Sequence, residues 1–157
     1  MRLMQWFAGF VLLLVTAVLG TAAQGAGHLV ETAAISVNGA SKRVLTDAKG
    51  MTLYYLATDT AGRSTCTGGC AKVWPPLLGM SAPSAKGALP GKLTLVKTEN
   101  GSQVSYNRHL LYTYSGDTAP HQANGQGIAG KWWVAAVDLK PAMSGTPSKP
   151  SSGGYGW

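Results

Sequence analysis

The chain has 157 residues, a formal net charge of +7 from 13 Lys and Arg against 6 Asp and Glu, and only two cysteines. That length allows one small domain or two very small ones. The composition excludes a disulfide-dense scaffold. The absence of zinc-finger spacing, a basic helix or an RNA-binding signature excludes specific nucleic-acid reading.

The first 27 residues, MRLMQWFAGFVLLLVTAVLGTAAQGAG, place Arg2 ahead of an apolar run from Trp6 to Leu19 and small residues at Thr21, Ala22 and Ala23. A basic head, an apolar stretch and small residues predict a signal peptide over 1–23, and export to the periplasm or beyond. The apolar run is short of the roughly 20 residues that span a bilayer. Without the leader the chain keeps 12 basic residues, scattered from Lys42 to Lys149, against 6 acidic ones. Such an excess serves solubility and allows weak association with anionic surface polymers, which salt would screen.

The exported part, 28–139, reads as an all-β domain of short antiparallel strands. TAAISV and KRVLT flank the turn signal NGAS, and DAKG precedes MTLYYLAT. Further on come KLTLVKT, ENGS, QVSY, the two-residue turn NR, and HLLYTYS. Short apolar and β-branched runs separated by turns have strand grammar, and no helical periodicity is evident after the leader. Beyond residue 139 the segment KPAMSGTPSKPSSGGYGW is too poor in apolar residues to offset the entropy of ordering it, which predicts a flexible tail over 140–157.

The second half repeats the first at an offset of 58. LYYLATD (53–59) returns as LYTYSGD (111–117), and the same offset carries Trp74 onto Trp132. Leu, Tyr, Asp, Thr, Ala, Gly and Trp recur in register, so duplication is the economical account. The repeats fall at about 42–79 and 93–137, joined by GMSAPSAKGALPG. One unit has too little core to stand alone, whereas two can pack about a pseudo-twofold axis. This pattern of Tyr-x-aromatic-x-x-Asp, a Gly-rich loop and a Trp resembles a bacterial family of secreted repeats of unknown function, often described as predicted lipoproteins. The resemblance runs from about Thr46 to Val137, with full motif matches at Tyr112, Tyr114 and Asp117. It departs at Leu56, where an aromatic is expected, and in having no lipobox cysteine. The resemblance implies a duplicated β architecture and no particular activity.

Strand alternation puts Tyr112 and Tyr114 on one face, predicted to stack there, with Leu111 and Thr113 on the other. Asp59 and Asp117 fall just past their strands, where a short carboxylate can pin the chain's exit. Each precedes its tryptophan by 15 positions, which predicts a loop folding back to lay the indole on the tyrosine strand, its N–H bonded to the aspartate or a loop carbonyl. Aromatics in this pattern are ordinarily core. The functional alternative is an aromatic cleft with a carboxylate at its rim, suited to a flat or cationic ligand. The candidate binding residues are Tyr54, Asp59, Trp74, Tyr112, Tyr114, Asp117, Trp132 and Trp133, with Trp133 and the Pro75-Pro76 pair the natural contacts.

Cys66 and Cys70, separated by TGG in an exported chain, predict a disulfide closed across Gly68 and Gly69. The second repeat has Asn124 and Ile128 there, so the bridge is an addition to the scaffold. Spacing is wrong for a thioredoxin-like dithiol, and Ala71 stands where haem attachment requires histidine. No serine nucleophile elbow, phosphate loop or His-Glu metalloprotease pair is present, and nothing fixes Asp59 and Asp117 at a glycosidase separation. The expectation is therefore a non-catalytic envelope module, with no cofactor and no metal, binding an envelope protein or small ligand through aromatic loops. The competing expectation is a periplasmic redox or copper accessory protein using Cys66, Cys70, Met51, Met80, His109 and His121.

Overall fold

The computed structural model describes residues 29–142; the predicted leader and all but the first residues of the predicted tail lie outside them. Seven strands and one short helix follow in order: β1 (Val30–Val37), β2 (Ala40–Asp47), β3 (Tyr54–Leu56), α1 (Gly69–Val73), β4 (Leu93–Thr98), β5 (Gly101–Tyr106), β6 (His109–Leu110) and β7 (Trp132–Val134). Among the described residues no helix is long and apolar enough to cross a membrane. The predicted all-β class holds, with the five residues of α1 and a single 3-10 turn at Ile128–Gly130 as its helical content.

Each repeat opens on a hairpin. β1 and β2 pair antiparallel from Val30↔Asp47 to Val37↔Ala40. Their two-residue turn is Asn38-Gly39, at φ 52° and 80°, the left-handed pair that matches strand twist. In the second repeat β4 pairs with β5 from Leu93↔Tyr106 to Thr98↔Gly101, and β5 with β6 across Asn107 and Arg108 at φ 48° and 72°. The DAKG turn is held by Asp47, whose Oδ1 accepts the backbone N–H groups of Lys49 and Met51 at 2.8 and 2.9 Å.

The repeats then exchange strands. β3 of the first pairs with β7 of the second, Tyr54↔Val134, Tyr55↔Trp133 and Leu56↔Trp132. The mirror pairing is also present: Tyr112 bridges Pro76, the Thr113 N–H donates to the Pro75 carbonyl at 2.9 Å, and Ser115 donates to Val73 at 2.9 Å. Between the two ladders, Tyr54 and Tyr112 donate to each other's carbonyls at 2.8 and 2.9 Å. These equivalences hold at the offset of 58 read from the sequence, so each tyrosine strand is completed by the tryptophan arm of the other repeat.

Alternation along these strands separates two apolar clusters. Tyr54, Leu56, Trp74, Tyr112, Trp132 and Val134 face one cluster with Ile35, Val37, Val44 and Cys66. Leu53, Tyr55, Leu111 and Ala135 face the other with Val30, Leu45, Val104 and Tyr106. The central strands are buried on both faces, which explains why their sequence reads as an almost continuous apolar run.

Candidate functional site

The repeated residues meet at the centre of the molecule. Tyr54 and Tyr112 are fully buried, and the side chains of Trp74, Trp132, Asp59 and Asp117 are at most 5% exposed. Trp74 and Trp132 stack face to face, with ring centroids 3.8 Å apart and planes 3° from parallel. Each indole receives its own repeat's tyrosine edge-on, at 5.4 Å for Tyr54 on Trp74 and 5.2 Å for Tyr112 on Trp132. The edge-to-face tyrosine contacts are an arrangement that the ring quadrupole favours.

Tyr114 shares the face of Tyr112 as the alternation requires, but it does not stack on Tyr112. It stacks on the outer side of Trp74 at 4.3 Å and meets Tyr54 edge-on at 6.3 Å. The strand exchange explains this, because Tyr114 sits opposite the tryptophan arm of the first repeat. Leu56 is its counterpart, opposite Trp132.

The carboxylates also work across the repeats. Tyr54 Oη donates to Asp117 Oδ2 and Tyr112 Oη donates to Asp59 Oδ2, both at 2.6 Å. The second oxygen of each carboxylate holds its own loop: Asp59 Oδ1 accepts the Thr65 N–H at 2.7 Å, and Asp117 Oδ1 accepts the Asn124 N–H at 2.9 Å. The expectation that an aspartate would serve the indole N–H is therefore replaced by a reciprocal tyrosine–aspartate exchange. Charge-assisted bonds of this length are the strong kind. Further contacts close each site: Ser64 Oγ lies 2.8 Å from Tyr112 Oη, and the Gly125 N–H donates to Tyr54 Oη at 3.2 Å. Gly125 is needed there, since a Cβ would lie 2.8 Å from both Trp74 and Tyr54 ring carbons.

Burial raises the Asp59 carboxyl above the ordinary carboxylate value, outweighing the bonds from Thr65 and Tyr112 that pull it down. Burial, followed by the neighbouring aspartate, raises both Tyr54 and Tyr112, so both hydroxyls remain donors at physiological pH.

This reciprocal geometry is the physical content of a tandem repeat. A profile described as "secreted repeat of unknown function" matches residues 36–78 and again 94–136, two segments displaced by the same 58 positions. The chain belongs to this secreted repeat family. No curated protein and no solved structure matches it. For the secreted repeat, Tyr, Asp and Trp at fixed spacing are thus the residues that tie one copy to the next.

Cys66 and Cys70 form the predicted disulfide, with Cα atoms 5.1 Å apart. Gly68 takes φ 56°, in the left-handed region open to glycine, and the chain passes directly into α1. Closing five residues restricts the unfolded chain by only about 2 kcal/mol in the loop-entropy relation. Cys66→Ser/Cys70→Ser is accordingly expected to fold, with an unfolding free energy lower by about that amount in urea titration.

The other candidates lie apart from this lock. Trp133 points to the second cluster, partly buried, and its Nε1 is sealed from solvent without an acceptor. It walls a notch of about 130 Å³ together with Lys42, Tyr55, Gln126, Asp138 and Lys140. Burial pushes Tyr55 up to about 12. Behind it, the His109 ring packs 4.6 Å from Tyr55, and its Nε2 donates to the Lys140 carbonyl at 2.9 Å. That bond leaves Nδ1 as a buried acceptor without a partner, and burial lowers the histidine below its ordinary value. Among the described residues no three His, Cys, Asp or Glu side chains are grouped to hold a metal. Ser64, Gly125 and Asn124, which complete the lock, carry no signal in the sequence beyond lying between the aspartate and tryptophan of each repeat.

Proposed function

We propose that the protein is an exported, non-catalytic module of the periplasm or cell exterior, its leader removed on export, that captures a partner protein or small ligand at the Trp133 notch. The reading rests on a division of labour among the aromatics. Those of the lock spend their faces and hydroxyls on one another, whereas Trp133 stands outside that stack and lines the notch. The notch beside it brings Tyr55, Val134 and Leu139 together with Lys42, Asp138 and Lys140.

Protein purified from the periplasm should carry a bound species visible as a mass increment under non-denaturing conditions. Trp133→Ala removes the aromatic wall of the notch, and a loss of about 1.4 kcal/mol should weaken capture roughly tenfold. Unchanged capture by Trp133→Ala would remove Trp133 from the site.

A further inference from the structure

The junction between the repeats has a property that does not depend on what Trp133 binds. Nearly all of its bonds run from one repeat to the other: the β3–β7 ladder, the Tyr54–Tyr112 bridge, the Pro76–Tyr112 bridge and both tyrosine–aspartate bonds. The hairpins join in as well, since Val104 N–H donates to the Leu77 carbonyl at 2.8 Å and Leu45 N–H to the Ala135 carbonyl at 2.8 Å. A first repeat therefore needs a second repeat, but no bond of the lock requires that both belong to one chain.

The connection between them packs Ala85 and Leu89 against the second cluster, donates the Gly79 N–H to the Ser102 carbonyl at 3.0 Å and places Lys86 3.8 Å from Glu31. Residues 79–91 are bound to the start of β1 by three backbone bonds, Leu29 and Val30 N–H to Ser84 carbonyl at 3.1 and 3.2 Å and Lys86 N–H to Val30 carbonyl at 2.9 Å. Released, thirteen residues reach about 43–47 Å when extended, enough to hand a repeat to a neighbouring molecule. We propose that the chain exchanges repeats with a second copy of itself, forming a dimer in which each first repeat is locked to the other molecule's second repeat.

The lock also selects which repeats pair. Tyr114 of the second repeat caps Trp74 of the first, and Leu56 offers no aromatic in return. Gly125 of the second repeat admits Tyr54 and Trp74 at close range. The corresponding stretch of the first repeat carries Cys66 and Thr67, so the two loops differ at this point. The partner is thus the complementary repeat of another copy, and exchange regenerates every bond of the monomer.

A short flexible connection gives an effective concentration near the millimolar range, so exchange competes when chains refold at comparable concentration. The test refolds an equal mixture of isotope-labelled and unlabelled full-length chains over a concentration series, separates monomer from dimer, and crosslinks amines. Lys42 and Lys140 border one notch but belong to opposite sides of the exchange, on β2 and just after the second repeat. In an exchanged dimer about half of the Lys42–Lys140 links should join labelled to unlabelled chains, as random pairing dictates. Monomer at every concentration, or a dimer whose Lys42–Lys140 links always stay within one isotope, would overturn the proposal.

Discussion

Asp59→Ala is expected to lower the unfolding free energy by about 2–4 kcal/mol, because it removes the buried acceptor of a tyrosine hydroxyl and leaves a loop amide unpaired. Asp59 accepts from Tyr112 at 2.6 Å and from Thr65 through both its N–H and its hydroxyl, at 2.7 and 2.9 Å. A double-mutant cycle tests the crossed wiring directly. Tyr112→Phe combined with Asp59→Ala should cost less than the sum by about 1.5–3 kcal/mol, the range for a hydrogen bond to a charged group. Tyr112→Phe combined with Asp117→Ala should be close to additive, although those two residues share a repeat. Coupling within the repeat instead of across it would contradict the reciprocal exchange.

The same carboxylate has a pH signature, and its sign is the reverse of the usual one. Its folded pKa is raised, so between the unfolded value of about 3.9 and the folded value the native chain binds more protons than the unfolded one. The contribution of Asp59 to stability is therefore greatest below that window, declines as pH rises through it, and is constant above. Asp59→Asn should remove this slope from urea midpoints measured between about pH 3 and pH 7.

How much of this was legible in the sequence depends on whether a feature is local. The hairpin turns were, because Asn38-Gly39 and Asn107-Arg108 need left-handed backbone that few residues tolerate. So were the disulfide, which only one pairing of two cysteines permits, and the meeting of indole with tyrosine, which the repeated spacing implied. The partner of each aspartate was not. An offset of 58 states that two environments are alike, but bonds made within each repeat and bonds exchanged between them leave the same spacing. Tyr114 illustrates the difference: alternation placed it correctly on the face of Tyr112, while its stacking partner, Trp74, follows only from strand exchange. The close approach at Gly125 was equally hidden, since a glycine in a loop with Gly127 and Gly130 reads as one of several until the rings it admits are known.

Trp74→Ala should be the most damaging single truncation in the molecule, exceeding Trp132→Ala although the two indoles are equivalent in sequence. Trp74 lies in the middle of a three-ring stack, between Trp132 at 3.8 Å and Tyr114 at 4.3 Å, with Tyr54 against its edge. Trp132 has Trp74 on one face and Tyr112 at its edge, while Leu56 takes the place of a third ring. Truncating a buried tryptophan removes its transfer free energy and leaves a cavity, together about 3–5 kcal/mol. Trp132→Ala should fall toward the lower end of that range. Trp74→Ala should fall toward the upper end, because each lost aromatic pair adds about 0.5–1.5 kcal/mol. In a domain whose total stability is on the order of 5–15 kcal/mol, either variant should melt far below the parent, with Trp74→Ala lowest. The discriminating measurement is the urea midpoint of both variants beside Tyr114→Leu, which gives the second repeat the residue of the first. If the asymmetric stack sets the difference, Tyr114→Leu should bring the cost of Trp74→Ala down to that of Trp132→Ala; two tryptophans of equal cost in the parent would leave Tyr114 no part in the lock.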